Sequence, residues 1–261
     1  MAAFSFKRLG IILLATVAVL YVIACALLYF NQRSFIYRPV TSPQNLSSAF
    51  TTIESEGEKL RILTRTTGTS KALIYFGGNA DDVSTYLPSF SEAFPDHNLF
   101  LVNYRGYGGS TGEPSEAALF ADALAVYDNV SANYPKVSVI GRSLGSGVAV
   151  YLASVRQIES LILVTPYDSI ENVGKKHLSI FPIGLLLKDK YDSASRVKDV
   201  SAKTLIILAE SDRTIPRGNS ESLISQFPAE QIRLKTLPET THNSVVLSKG
   251  YLPLVRSFLN D

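Results

Sequence analysis

Residues 137–153 read VSVIGRSLGSGVAVYLA. A short apolar run at 137–140 opens this stretch, and a run rich in small apolar residues follows at 144–155. The first has the length and composition of a strand buried on both faces, and the second suits a buried helix. Between them Gly141-Arg142-Ser143-Leu144-Gly145 matches G-x-S-x-G. The pattern carries chemical meaning where it follows a strand and opens a helix, as it does here. The turn is tight, and the two glycines remove side chains that would collide with it and with the neighbouring helix. Ser143 Oγ then projects from the end of the strand, where the helix N-terminus favours developing negative charge. Ser143 is the expected nucleophile.

Outward from this point, strand-like and helix-like segments alternate. Besides 137–140, buried strands are expected at 72–76, 99–104, 161–164 and 205–208, with an alternating strand at 60–66 and a last strand at 232–237. Helices are expected at 81–94 (interrupted by Pro88), 113–134, 144–155, 219–227 and 249–259. Residues 31 to about 50 read as a linker, punctuated by Pro39 and Pro43, with a short opening strand at Phe35-Ile36-Tyr37. Strands that alternate with helices imply an α/β fold with a mostly parallel sheet covered on both faces. The chain of 261 residues is long enough for one such domain.

A serine hydroxyl is a weak nucleophile near neutral pH and needs a base, which in turn needs an orienting group. G-x-S-x-G hydrolases present these in the order serine, acid, histidine. Of the three histidines, His97 precedes Ser143 and His177 falls between two strands. His242 follows the last strand and is the expected base. Asp212, in the loop after 205–208, is the expected acid, with Asp168 and Glu210 as alternatives. The tetrahedral oxyanion also needs donors. The Leu144 amide is one candidate, and Asn79 in the loop Phe76-Gly77-Gly78-Asn79-Ala80 is the other.

Composition narrows the class. Lys and Arg number 25 against 23 Asp and Glu, with no basic stripe of the kind a nucleic-acid binder carries. The single cysteine, Cys25, excludes an intramolecular disulfide. The histidines are scattered without an HExxH pattern, so neither a metal nor another cofactor is expected. Near the N-terminus, residues 9–30 read LGIILLATVAVLYVIACALLYF, 22 residues without a charge. About 20 apolar residues span a bilayer core as a helix, so 1–30 reads as a single-pass membrane anchor and 31–261 as the globular domain. A cleaved signal has a shorter apolar region. Val22-Ile23-Ala24-Cys25 is similar to a lipobox, but the apolar run continues past it. Lys7, Arg8 and the amino terminus outnumber Arg33 and Arg38, which predicts the main domain on the non-cytoplasmic side, periplasmic in a bacterium.

Four blocks carry a wider likeness: Phe-Ile-Tyr-Arg-Pro at 35–39, Gly-Gly-Asn-Ala at 77–80, Tyr-Arg-Gly-Tyr-Gly-Gly-Ser-Thr-Gly-Glu-Pro-Ser at 104–115 and Gly-Arg-Ser-Leu-Gly-Ser-Gly at 141–147. On these the chain resembles the Bem46-like group of α/β-hydrolases, which includes the ABHD13- and ABHD17-type acyl-protein hydrolases. Gly77 stands where that group often carries histidine. The resemblance implies an α/β-hydrolase fold and an N-terminal membrane anchor, and the acid and histidine loops agree with it. Residues 166–196, rich in Leu, Ile and Phe, are expected to form a short lid, whose apolar side chains either suit an acyl chain or pack against the sheet. The expected activity is hydrolysis of an ester or thioester in a small-molecule or acylated substrate. A peptidase or amidase could use the same groups, and a non-catalytic membrane-anchored binding protein is the third reading.

Overall fold

The computed structural model describes residues 2–41 and 50–261. Pro43 and the rest of the expected linker from 42 to 49 lie outside the described residues. The chain begins with α1 (Ala2–Ile36), a helix long and apolar enough to cross a membrane. It does not stop at Phe30. Residues 31–36 contain neither Gly nor Pro, and the Tyr37 amide still donates to Arg33 O at 2.8 Å. Phe35 and Ile36, expected to open a strand, therefore complete the last turn of the helix. Pro39 ends the possibility of continuing, because it disfavours helical geometry at Arg38.

Next come β1 (Phe50–Ser55), β2 (Glu58–Arg65), β3 (Lys71–Phe76), α2 (Leu87–Ala93), β4 (Asn98–Val102) and α3 (Glu116–Ser131). They are followed by β5 (Lys136–Arg142), α4 (Leu144–Val155), β6 (Ser160–Val164), α5 (Ile170–His177) and α6 (Ile183–Leu186). The chain closes with β7 (Lys203–Ser211), α7 (Arg217–Ile224), β8 (Ile232–Thr241) and α8 (Tyr251–Asn260). Among the described residues eight strands form one sheet in the order β1-β2-β4-β3-β5-β6-β7-β8. From β4 to β8 every pairing is parallel, while β1–β2 and β2–β4 are antiparallel. This is the α/β-hydrolase fold, and it agrees with the alternation in the sequence.

Three elements differ from their expected form. β1 is added by a two-residue turn in which Glu56 and Gly57 both have positive φ, +49° and +83°. Such a turn matches the twist of paired strands and sets the hairpin register. Pro88 lies in the first turn of α2, behind a 3-10 turn at Val83–Tyr86, so it starts a helix instead of interrupting one. Pro114 lies before α3, whose first turn is capped by Ser115 Oγ accepting from the Ala118 amide at 3.2 Å.

The central strands are buried on both faces. One apolar core lies between the sheet and α3–α4, built on Ile74, Phe76, Val139, Val148 and Leu163. The other lies under α2 and α8, built on Tyr75, Phe90, Ile140, Val164 and Val255. Both must form for the strand ends to hold their positions.

His97 is buried at the entrance to β4, edge-on to the Phe94 ring. Burial and the nearby Lys71 lower its imidazole from 6.5 to about 4. The fold therefore holds it neutral, whereas the unfolded chain takes up a proton near pH 6.5. Its stabilising contribution is complete above pH 6.5 and is lost as pH falls from there towards 4. On moving from pH 7 to pH 5 the wild type should lose about 2 kcal/mol of unfolding free energy that His97→Gln does not lose. Denaturant titrations of both proteins in detergent solution at the two pH values measure this, and parallel losses would contradict it.

Candidate active site

The turn from β5 into α4 is as sharp as the sequence demands. Ser143 sits at φ +49° and ψ −116°, a conformation that costs a non-glycine residue about 1–3 kcal/mol and persists only where its surroundings enforce it. The enforcement comes from close backbone approach. A Cβ on Gly145 would lie 2.1 Å from Phe76 O, and one on Gly141 would lie 2.4 Å from Gly145 O. With no side chain there, the Gly145 amide donates to Gly77 O at 3.1 Å, while the Ser143 amide donates to Val164 O at 2.9 Å. The elbow is thus pinned between the ends of β3 and β6.

Three side chains from separate loops meet at this edge. His242 follows β8, and its Nε2 lies 2.9 Å from Ser143 Oγ. Its Nδ1 lies 2.7 Å from Asp212 Oδ2, beyond the end of β7. Asp212 Oδ1 accepts from the Thr214 and Ile215 amides, both at 2.8 Å, so the carboxylate is fixed in direction. All three are largely buried: Ser143 is 9% exposed and His242 7%. The other two acids have different partners. Asp168 accepts from the Ser169 amide, Asn172 and Asn219, tying α5 to α7. Glu210 accepts from the Glu239 amide at 2.8 Å. His177 Nε2 lies 2.9 Å from Thr214 O, and His97 is remote from Ser143 in the β3–β4 core.

The glycine loop after β3 is held from several sides. Asp81 Oδ2 accepts from the Gly78 amide at 2.7 Å, Tyr104 donates its hydroxyl proton to Gly77 O at 2.7 Å, and Tyr107 donates to Asn79 O at 2.9 Å. The Arg38 amide, just past α1, also donates to Asn79 O at 3.0 Å. Among the described residues neither the Asn79 nor the Leu144 amide is consumed by these bonds, and both residues line a cavity beside Ser143. The second glycine block, 104–112, therefore has a structural use: its two tyrosines brace the first.

Comparison with known proteins bears on the family and the fold. No family model matches the chain. Rv2307c, an uncharacterised protein of Mycobacterium tuberculosis, is 33% identical over 274 residues, 95% of this chain and 95% of that one. Protein bem46 of Schizosaccharomyces pombe is 27% identical over 92% of this chain and 89% of its own length. The chain belongs to the Bem46-like α/β-hydrolases. Its fold also matches the Pyrococcus furiosus esterase Pf2001, with a TM-score of 0.70 at 18% identity over 86% of this chain and 98% of that one.

This Bem46-like chain carries one feature at the site that motif reading missed. Arg142, the variable residue of G-x-S-x-G, is buried and paired with Asp81. Its Nη2 also donates to His242 O at 3.3 Å and to Asn243 Oδ1 at 3.2 Å. Burial works against its charge, but the Asp81 carboxylate more than offsets this and holds the guanidinium above its ordinary value. One side chain thereby joins the glycine loop to the histidine loop. A signal was present, since an arginine flanked by two buried apolar runs must find a buried acid.

Two cavities open at Ser143. The first, about 280 Å³, is almost wholly apolar and is lined from α1 by Leu28 and Ile36, and from α5, α6 and their connection by Val173, Leu178, Ile183 and Leu186. The second, about 340 Å³, is more polar and lies on the side of Arg142, Asn243 and Asp81.

Arg142→Met leaves Asp81 buried and unpaired, which should cost about 3–5 kcal/mol and lower Tm by about 10 °C. Asp81→Asn/Arg142→Met should recover most of that Tm. It should still react more slowly with an active-site-directed phosphonate, because the two loops remain unjoined. Differential scanning calorimetry of both variants measures the first point. A single variant melting within 2 °C of wild type would count against the pairing.

Proposed function

We propose that the chain is a membrane-anchored serine hydrolase that cleaves a carboxylic ester or acyl thioester. The observation that carries this reading is the hydrogen-bonded series Asp212–His242–Ser143, at 2.7 and 2.9 Å, at the mouth of an apolar cavity. Ser143 Oγ attacks the acyl carbon and its proton passes to His242 Nε2. Asp212 accepts the Nδ1–H bond and stabilises the imidazolium. The oxyanion accepts from the Leu144 and Asn79 amides. The tetrahedral adduct collapses to an acyl-serine, and the departing alcohol or thiol leaves with the proton from His242. A water then attacks the acyl-serine with His242 again as base. The acid leaves and Ser143 regains its proton.

The two cavities favour different ends of the substrate. The apolar one suits the acyl chain, and the more polar one suits the alcohol or thiol. This asymmetry favours an acyl ester over a peptide, whose flanks are polar on both sides. α1 serves as the anchor, with residues 166–196 as the lid.

A fluorophosphonate probe should label the wild type and fail to label Ser143→Ala, whose ester turnover should fall by at least about 10⁴-fold. Undiminished labelling of Ser143→Ala would overturn the mechanism. In a series of p-nitrophenyl esters, kcat/KM should rise about fourfold per methylene until the cavity is full. Rates that are flat or falling beyond acetate would exclude an acyl pocket. The charge distribution about α1 predicts that protease added to cells stripped of any outer membrane or wall digests the domain after Ile36; protection would reverse that orientation.

A further inference from the structure

α1 does more than lead up to the domain. Leu28, Gln32, Phe35 and Ile36 all line the apolar cavity beside Ser143, and their spacing of i, i+4, i+7 and i+8 puts them on one helical face. The same face, two turns earlier, carries Tyr21. Its hydroxyl donates to Ile180 O at 2.8 Å and its ring stacks on Phe181 with centroids 5.9 Å apart. At the cavity level Gln32 donates to Leu186 O at 2.9 Å and accepts from the Lys188 amide at 2.6 Å. Arg33 pairs with Asp189 at 3.0 Å. The segment from α5 to α6 is therefore docked along the helix, with charged partners at one end and apolar ones at the other.

The depth of this docking follows from helix geometry. Tyr21 and Arg33 are twelve residues apart, which is about 18 Å along the axis. Half of a bilayer's hydrocarbon core is about 15 Å. If Arg33 and Asp189 lie at the headgroups, Ile180 and Phe181 lie inside the hydrocarbon. The segment has the surface for that setting, since Ile180 is 73% and Leu185 86% exposed. Much of its backbone is satisfied internally as well. The Leu178, Phe181, Ile183, Leu185 and Leu186 amides all donate to carbonyls within residues 174–182, and the Ile180 carbonyl is taken by Tyr21. Lipid supplies no partner, so backbone that enters it must be satisfied internally.

We propose that α1 and the α5–α6 segment form one acyl pocket that opens into the bilayer, and that it draws the chain of a membrane-dissolved acyl ester sideways from the hydrocarbon to Ser143. The proposal rests on the hydrolase reading above and deepens it by naming where the substrate resides and which residues select its chain. The cavity, of about 280 Å³ and lined mainly by apolar side chains, takes the part of the acyl chain next to the ester. Leu28 and Ile36 are then determinants of chain length, although they belong to the membrane helix.

The test uses the full chain in phosphatidylcholine vesicles, with p-nitrophenyl palmitate dissolved in the bilayer and p-nitrophenyl acetate in the water. Leu28→Trp, which fills the pocket from the helix side, should lower the palmitate-to-acetate ratio of kcat/KM at least tenfold. Ile180→Asp/Leu185→Asp alters only the outer surface of the segment. It should lower the palmitate-to-acetate ratio of kcat/KM in vesicles at least tenfold. Independently of activity, a fluorophore on Leu185→Cys, in a Cys25→Ser background, should be quenched by lipids brominated on their acyl chains. An unchanged ratio in Leu28→Trp, or an unquenched label, would overturn the proposal. If the wild type hydrolysed neither ester while the label was quenched, the hydrolase reading would fall and the insertion of the segment would stand.

Discussion

The close approach of the Gly145 backbone to the end of β3 is the constraint on which the rest of the site depends. A hydrogen atom at that position lets the first turn of α4 press against Phe76 O and Gly77 O. Any side chain would push the helix away. The contact places the strained Ser143 turn beside the glycine loop, so one packing event brings together a hydroxyl and two candidate amide donors. Strain at Ser143 is sustained because both sheet faces are buried beneath it and cannot relax without opening a core.

A second layer of interactions orients what the first brings close. Arg142 and Asp81 form a buried ion pair, and such a pair is weak evidence for stability because desolvating both groups opposes their attraction. Its geometry suggests a positioning role. Asp81 holds the Gly78 amide and Arg142 reaches the His242 carbonyl, so the glycine and histidine loops share one rigid link. Tyr104 and Tyr107 support the glycine loop from the other side. The loops at this edge thus keep their spacing with little dependence on solvent.

α1 joins this arrangement through polar contacts placed among apolar ones. Gln32 is buried and satisfied by Leu186 and Lys188, and Tyr37 meets Tyr191 at 2.9 Å. These bonds are directional, whereas apolar packing alone would allow the helix to slide. They fix the register of the helix against the segment over Ser143, and with it the shape of the apolar cavity.

Much of this was legible in the chain itself. The buried strands showed as continuous apolar runs because both of their faces are covered, and the elbow showed because only glycine tolerates its contacts. Ser143, His242 and Asp212 could be singled out by their order and their places after strands. Other features were not legible. The β1 strand depends on a turn at Glu56-Gly57 and on pairing with β2, and FTTIES shows little apolar alternation. The helical state of Phe35 and Ile36 came from the absence of any stop signal, which a motif reading passes over. Local sequence determined which segments are strands and helices and which residues could carry acyl chemistry, because periodicity and glycine sterics act over a few residues. Only the tertiary structure decided that Arg142 meets Asp81 and that the apolar N-terminal helix walls the cavity, because those contacts join residues 61 and about 150 positions apart whose pairing no local pattern encodes.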